Sequence, residues 1–284
     1  MKIGVVGAGL MGGEIALVFA LGGFEVLLSD RDDAALQRGV VRLDALLAKG
    51  VARGIYSAEA KTEALARITP ALDIARLSEC GLVCEAVFEA LDVKQEILRT
   101  LDAVCKPDCL LTSNTSTLPI STLSAALAPV RRPLFLGAHF FSPVSRMALV
   151  EVIPSFDTAP STRDQLVDIL RRIGKTPIVV KDVAGFAVNR LLHAMLIEAV
   201  KLVEEGVATP EDLDTACRLG LGHPIGPFAL MDAVSSQLCL QVQEILHDAY
   251  GERFRPPALL KQRVAAGLVG GAGQPGWIER SGQG

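Results

Sequence analysis

Short, unbroken aliphatic runs alternate with longer amphipathic stretches up to about residue 181. The runs at residues 2–6, 24–29, 81–87, 110–112, 132–138, 147–153 and 176–180 read as strands, and 67–70 as a shorter one stopped by a proline. Between them, residues 33–53 place Leu36, Val40, Leu43 and Leu47 on one helical face. Further helices are predicted before Leu21 and at 57–65, 92–104 and 162–173. Strands that are apolar on both faces, alternating with helices, predict an α/β fold: a doubly wound, mostly parallel sheet covered on both sides. The pattern then changes. Residues 185–205, 209 onward, 228–250 and 258–266 are helical, and the glycine-rich stretch from 267 is expected to be loose. The predicted organisation is an α/β domain over 1–182 and an all-helical domain over 183–284.

Composition narrows the function classes. Half of the 284 residues are apolar and 21% are charged, the balance of a core-rich globular protein. A net charge of −4 without a basic block gives no nucleic-acid footprint. Residues 2–24 have the hydropathy of a signal peptide or membrane span, but Glu14 and repeated glycines interrupt them. A strand–turn–helix accounts for them better, so no membrane partner is expected. Cys80/Cys84 and Cys105/Cys109 share a four-residue step without a histidine at ligand spacing. Buried thiols, not a metal site, are expected. Free thiols fit a reducing compartment, hence a cytoplasmic location.

The first strand ends at Gly7-Ala8-Gly9-Leu10-Met11-Gly12, which matches G-x-G-x-x-G, and Asp30 ends the second. Strand, glycine turn, helix, strand and acid together form the dinucleotide-binding context. Gly7 permits the tight turn, Gly9 the approach of a pyrophosphate, and Gly12 close packing of helix on strand. Leu10 and Met11 open the helix whose free N–H groups would meet the phosphates. Asp30 would accept from both adenosine ribose hydroxyls and repel a 2′-phosphate, which favours NAD over NADP, although Arg31 is adjacent.

Two further places carry candidate chemistry. Residues 113–117, Ser-Asn-Thr-Ser-Thr, stand at the carboxyl end of a strand, where ligands bind in open α/β sheets. The same cluster also suits a helix cap before Pro119. His139 ends one apolar run, and Glu151 sits inside the next, flanked by aliphatic residues. A turn at Ser142-Pro143 would bring the two together. A buried carboxylate requires a partner, and one that accepts from a ring nitrogen leaves the other nitrogen as a base. A structural ion pair in the core is the alternative reading.

These blocks resemble the short-chain L-3-hydroxyacyl-CoA dehydrogenase family, which includes 3-hydroxybutyryl-CoA dehydrogenases. The resemblance covers residues 1–266 through Gly-Ala-Gly-Leu-Met-Gly at 7–12, Val-Phe-Glu at 87–89, Ser-Asn-Thr-Ser at 113–116, and His-Phe-Phe with Leu-Val-Glu-Val-Ile at 139–153. Gly-Phe-Ala-Val-Asn-Arg at 185–190 and Gly-Pro-Phe at 226–228 follow. The resemblance implies NAD-linked interconversion of L-3-hydroxyacyl-CoA and 3-oxoacyl-CoA, with His139 as general base oriented by Glu151. It implies that Ser116 and Asn189 hold substrate oxygens, Asn189 from the helical domain as the two domains meet. Glu89, Lys94, Ser116 and Ser142 would touch the cofactor, Lys49 and Arg53 the CoA phosphates, and the helical domain would form a homodimer.

Three departures stand out. Ser142 replaces the family's usual Asn, Val234-Ser235-Ser236-Gln237 lacks its Gly-Leu-Asp, and residues 270–277 lack its basic segment. A same-fold dehydrogenase of a non-CoA hydroxy acid, of sugar-acid or carnitine type, and a cofactor-binding homologue without turnover are the alternatives. A catalytic-lysine enzyme is disfavoured, because Asn189-Arg190 stands where its lysine would be. His193, His223 and His247 read as packing or surface residues.

Overall fold

The structure, a computed structural model, describes residues 1–271 and 273–278. The chain divides into two compact units, Met1–Val183 and Ala184–Gly284.

In the first unit the strands are β1 (Ile3–Val6), β2 (Val26–Ser29), β3 (Ile68–Ala71), β4 (Leu82–Glu85), β5 (Leu110–Ser113), β6 (Phe135–Phe140), β7 (Leu149–Pro154) and β8 (Thr176–Val179). They form one eight-stranded sheet in the order β3-β2-β1-β4-β5-β6-β7-β8. Every pairing is parallel except β6 with β7. The order turns back between β1 and β4, so the crevice at the carboxyl ends of those two strands is the switch point where such sheets bind ligands.

The helices of this unit are α1 (Leu10–Leu21), α2 (Asp33–Ala52), α3 (Ala58–Ala66), α4 (Leu91–Val104), α5 (Ile120–Ser124) and α6 (Pro160–Arg172). Nine consecutive α1 residues from Gly12 to Ala20 are buried, as expected of a helix packed between sheet and neighbouring helices. Asp32 and Ser57 cap α2 and α3 by accepting from Ala35 N and Ala60 N. The short α5 is capped differently from expectation. The hydroxyls of residues 113–117 do not serve it; the carboxylate of Asp182 accepts from Ile120 N at 2.9 Å and Ser121 N at 2.7 Å.

The second unit contains α7 (Val188–Glu204), α8 (Pro210–Gly220), α9 (Pro227–Val234), α10 (Ser236–Tyr250) and α11 (Ala258–Ala265). Sequence periodicity over 228–250 suggests one helix, but the chain breaks at Ser235, whose φ of +90° no helix accommodates. A serine stands here where glycine is the residue best suited to positive φ. The glycine-rich tail also departs from expectation. Asp232 accepts from the amides of Trp277 at 2.8 Å and Ile278 at 3.0 Å, and the indole N–H donates to Ser236 Oγ at 2.8 Å. Trp277 is buried against Phe228, with the Arg263 guanidinium 4.2 Å from its ring centre. A periodicity argument sees the glycines of this tail but not the aromatic anchor behind them. Residues 272 and 279–284 lie outside the described residues. Among the described residues, no helix is long and apolar enough to cross a membrane.

Candidate active site

The carboxyl end of β1 runs into a glycine turn beside the end of β2. Gly7 has φ +102°, and a Cβ there would lie 2.5 Å from the Ala86 carbonyl oxygen; only glycine fits. A Cβ on Gly12 would overlap the Gly7 carbonyl, so α1 lies directly against the turn. Gly9 is the extended N-cap of α1 and no side chain caps it, the arrangement in which first-turn amides receive an anion. Asp30 ends β2 and accepts from Ala8 N at 2.6 Å and Arg31 N at 2.7 Å, while Arg42 donates to the Ala8 carbonyl at 2.6 Å. A cavity of about 700 Å³ opens here, lined by residues 7–11, Asp30 and Phe88 among others. Bare helix start, glycine turn, an acid at the end of β2 and an apolar wall together fit a dinucleotide.

The ends of β4 and β5 carry a buried charge network. Glu85 and Lys94 are 0% and 1% exposed and 2.8 Å apart. Glu85 also accepts from Ser113 Oγ at 2.5 Å and Val87 N at 2.7 Å. Lys94 Nζ meets the Val87 carbonyl and Glu89 as well, both at 3.3 Å. Its hydrogen bonds go to Glu85 and the Val87 carbonyl, and Glu89 is an ion-pair contact. Lys94, expected at the cofactor, is thus turned inward as the counter-charge of Glu85 and Glu89. One oxygen of Glu89 gathers the turn of residues 115–117, accepting from Thr115 Oγ1 (2.5 Å), Ser116 N (2.8 Å), Thr117 N (3.0 Å) and Thr117 Oγ1 (3.0 Å), with Ser116 Oγ at 3.3 Å. Burial alone would raise the Glu89 carboxyl, but the Lys94 charge and these hydrogen bonds outweigh it and hold the group below the usual glutamate range.

On β6 and β7 the antiparallel register sets His139 opposite Glu151. His139 Nδ1 lies 2.8 Å from Glu151 Oε2, with the carboxylate fully buried and the ring 6% exposed. An ionised carboxylate only accepts, so Nδ1 carries the hydrogen and Nε2 is the nitrogen suited to receive a proton. The Phe141 ring packs 4.5 Å from the imidazole. Asn114 links this pair to the Ser116 turn. Its Oδ1 accepts from Phe140 N at 2.9 Å, and its own N–H donates to the Glu85 carbonyl at 2.8 Å.

One edge of the sheet therefore collects Gly7, Gly9, Leu10, Met11, Gly12, Asp30, Glu89, Ser116 and His139 from successive strand ends, with Glu151 facing His139. Ser142 is exposed in the loop after β6. Lys49 and Arg53 are exposed at the far end of the 20-residue α2, which at 1.5 Å per residue lies roughly 30 Å from the helix start beside Asp30. Asn189 stands in the first turn of α7, in the second unit. The sequence singles out neither Glu85 nor, beyond its place in the 113–117 cluster, a role for Asn114. Glu85 is visible by the logic that singles out Glu151, a carboxylate inside an aliphatic run. Asn114 gives no such signal, because its partner lies on another strand.

Comparison with known proteins leads to the same place. Residues 2–183 match the family described as 3-hydroxyacyl-CoA dehydrogenase, NAD binding domain, and residues 185–280 its C-terminal domain. The chain is 40% identical over 271 residues to a probable 3-hydroxybutyryl-CoA dehydrogenase of Deinococcus radiodurans, covering 95% of this chain and 96% of the relative. It is 38% identical over 282 residues to a 3-hydroxybutyryl-CoA dehydrogenase of Bradyrhizobium diazoefficiens, covering 99% and 96%. The crystal structure of (S)-3-hydroxybutyryl-CoA dehydrogenase from Ralstonia eutropha superposes with a TM-score of 0.91 at 37% identity, covering 95% of both chains.

Proposed function

This chain belongs to the 3-hydroxyacyl-CoA dehydrogenase family, and from that membership we propose that His139 and Glu151 form its acid–base pair. The chain is an NAD-dependent 3-hydroxyacyl-CoA dehydrogenase. When bound, NAD accepts the hydride from C3 of the hydroxyacyl group. The observation that carries the proposal is the 2.8 Å contact between a nearly buried imidazole and a fully buried carboxylate at the carboxyl edge of the sheet.

His139 Nε2 takes the hydroxyl proton as the carbon–hydrogen bond breaks, and returns it in the reductive direction. Glu151 fixes the tautomer and stabilises the imidazolium formed in that step. Ser116, held by Glu89 through its amide, is assigned a hydrogen bond to the substrate oxygen once its hydroxyl turns from Glu89, and Asn189 a second. Residues 7–12 and Asp30 hold the dinucleotide. Glu89 lines the cofactor side, with Lys94 as its counter-charge, and Ser142 is assigned a cofactor contact from the β6–β7 loop. Lys49 and Arg53 are assigned to the nucleotide end of CoA.

The curated relatives are named for 3-hydroxybutyryl-CoA and the Ralstonia eutropha structure for the (S) form, which supports a short acyl chain of that configuration. We assign a homodimer through the helical unit; the exposed apolar Leu191, Leu219 and Leu221 of that unit support it. The test of substrate is a chain-length series of L-3-hydroxyacyl-CoA with NAD, assayed in both directions. The fastest turnover is expected at the four-carbon acyl group, with free CoA competing. Turnover of a free hydroxy acid that CoA does not inhibit would assign the enzyme to a non-CoA substrate instead.

A further inference from the structure

We propose that Glu14 is a positioning residue whose carboxylate ties the hairpin bearing His139 and Glu151 to the helix that receives the dinucleotide. The catalytic consequence rests on the reading of His139 given above. The tether itself stands on geometry.

Glu14 lies three and four residues after Met11 and Leu10, one helical turn from the phosphate-binding end of α1. It is 4% exposed, in a stretch of α1 where its chain neighbours Gly12, Gly13, Ile15 and Ala16 are all buried. An aliphatic residue would satisfy packing there, and a buried carboxylate is costly unless its oxygens are met. One of them is met from the β6–β7 loop. Oε2 accepts from Ser145 N at 3.0 Å and from Ser145 Oγ at 3.1 Å, across 131 residues of chain.

Ser145 sits midway along the loop that joins β6 to β7. That loop begins directly after Phe140, next to His139, and ends at Leu149, two residues before Glu151. Lys175 grips the same loop from the other side. Its buried ammonium donates to the carbonyls of Val144 and Met147, the latter at 2.8 Å. Burial pushes the Lys175 amine down, and the negative charge of Glu14 opposes this. Phe19, further along α1, meets Phe140 edge-on at 6.4 Å. The loop is therefore held both from α1 and by the residue just before β8.

Hydride transfer requires donor carbon, acceptor ring and base in near-attack register, and a displacement of about 1 Å can cost ~10²-fold in rate. One end of that register is set by the first turn of α1, the other by the β6–β7 hairpin. Glu14 is a direct polar link between them.

The test compares Glu14→Ala, Glu14→Gln and Ser145→Ala with the unaltered enzyme. Glu14→Ala is expected to lower kcat about tenfold or more, with KM for NAD and acyl-CoA within about threefold, and to raise the primary isotope effect with substrate deuterated at C3. Glu14→Gln retains an oxygen that accepts from Ser145 N and should recover most of the rate. Ser145→Ala, which keeps one of the two bonds, should lose less than Glu14→Ala. Hydrogen–deuterium exchange over residues 140–148 should quicken in Glu14→Ala and not in Glu14→Gln. A folded Glu14→Ala with unchanged kcat, isotope effect and exchange overturns the proposal. Should Glu14→Ala not fold, unchanged exchange and kcat in Ser145→Ala overturns it equally. If His139→Gln retained turnover, the reading of the base would fall, while the exchange measurement would still decide the tether.

Discussion

Glu151→Gln isolates the charge in the proposed acid–base pair. The substitution keeps the size of the side chain and an oxygen able to accept from Nδ1, and removes only the negative charge. Glu151 is fully buried, with its Oε2 2.8 Å from the ring nitrogen. Once His139 has taken the proton, the imidazolium and carboxylate charges lie roughly 4 Å apart, an interaction of about 4 kcal/mol at an effective dielectric of 20. A neutral hydrogen bond in its place retains about 1 kcal/mol. The remaining ~3 kcal/mol bears on the step that creates the imidazolium, and at ~1.4 kcal/mol per decade it lowers kcat by about a hundredfold. NADH formation from an L-3-hydroxyacyl-CoA under saturating conditions measures this, with NADH binding and thermal unfolding as controls. Binding should be preserved, because Glu151 lies on a different strand from the phosphate-binding turn. A folded variant whose kcat stays within about threefold of the unaltered enzyme would refute the reasoning. The pair would then be structural, as its sequence spacing alone also allows.

Three more outcomes follow from the same structure. His193 is buried in α7 and pushed down to about 4 from 6.5, so the unfolded chain takes up its proton first; stability should rise with pH across that window, by at most about 3 kcal/mol. His193→Leu should flatten that part of the profile in urea unfolding at about pH 5 and about pH 7; an unchanged slope would contradict the assignment. Ser235→Gly removes a strained positive φ and should stabilise the second unit by roughly 1 kcal/mol, read as a raised Tm. Asp232→Ala should release the tail, shift the emission of Trp277, the single tryptophan, to the red, and cost about 1–3 kcal/mol; an unshifted spectrum would show that the tail is held by packing alone.

Much of this is legible in the sequence, for identifiable reasons. The glycine turn with Asp30 is local, and each glycine answers a backbone requirement within a few residues. His139 and Glu151 are legible because strands adjacent in sequence pair readily, and a charge inside an aliphatic run demands a partner. What the sequence hides depends on contacts between distant segments. Asp182 reaches back 61 and 62 residues to cap α5. Asp232 holds Trp277 across 45 residues, which turns a glycine-rich tail into part of a core. Glu14 speaks in the sequence only against a membrane span, because nothing near it in the chain reveals Ser145 as its partner. The inward turn of Lys94 is set by a nearer partner, nine residues back in the chain. It depends on Glu85, an acid at the end of an aliphatic strand whose burial leaves it in need of a counter-charge.

On the proposed reading, turnover in this chain rests above all on the imidazole of His139, and His139→Gln tests that claim most directly. With NAD and an L-3-hydroxyacyl-CoA, the variant should lose nearly all of kcat while NADH binding survives, because the glycine turn and Asp30 are untouched. Turnover near that of the unaltered enzyme, with NADH still bound, would contradict the claim and send the search for the proton acceptor elsewhere on the sheet edge.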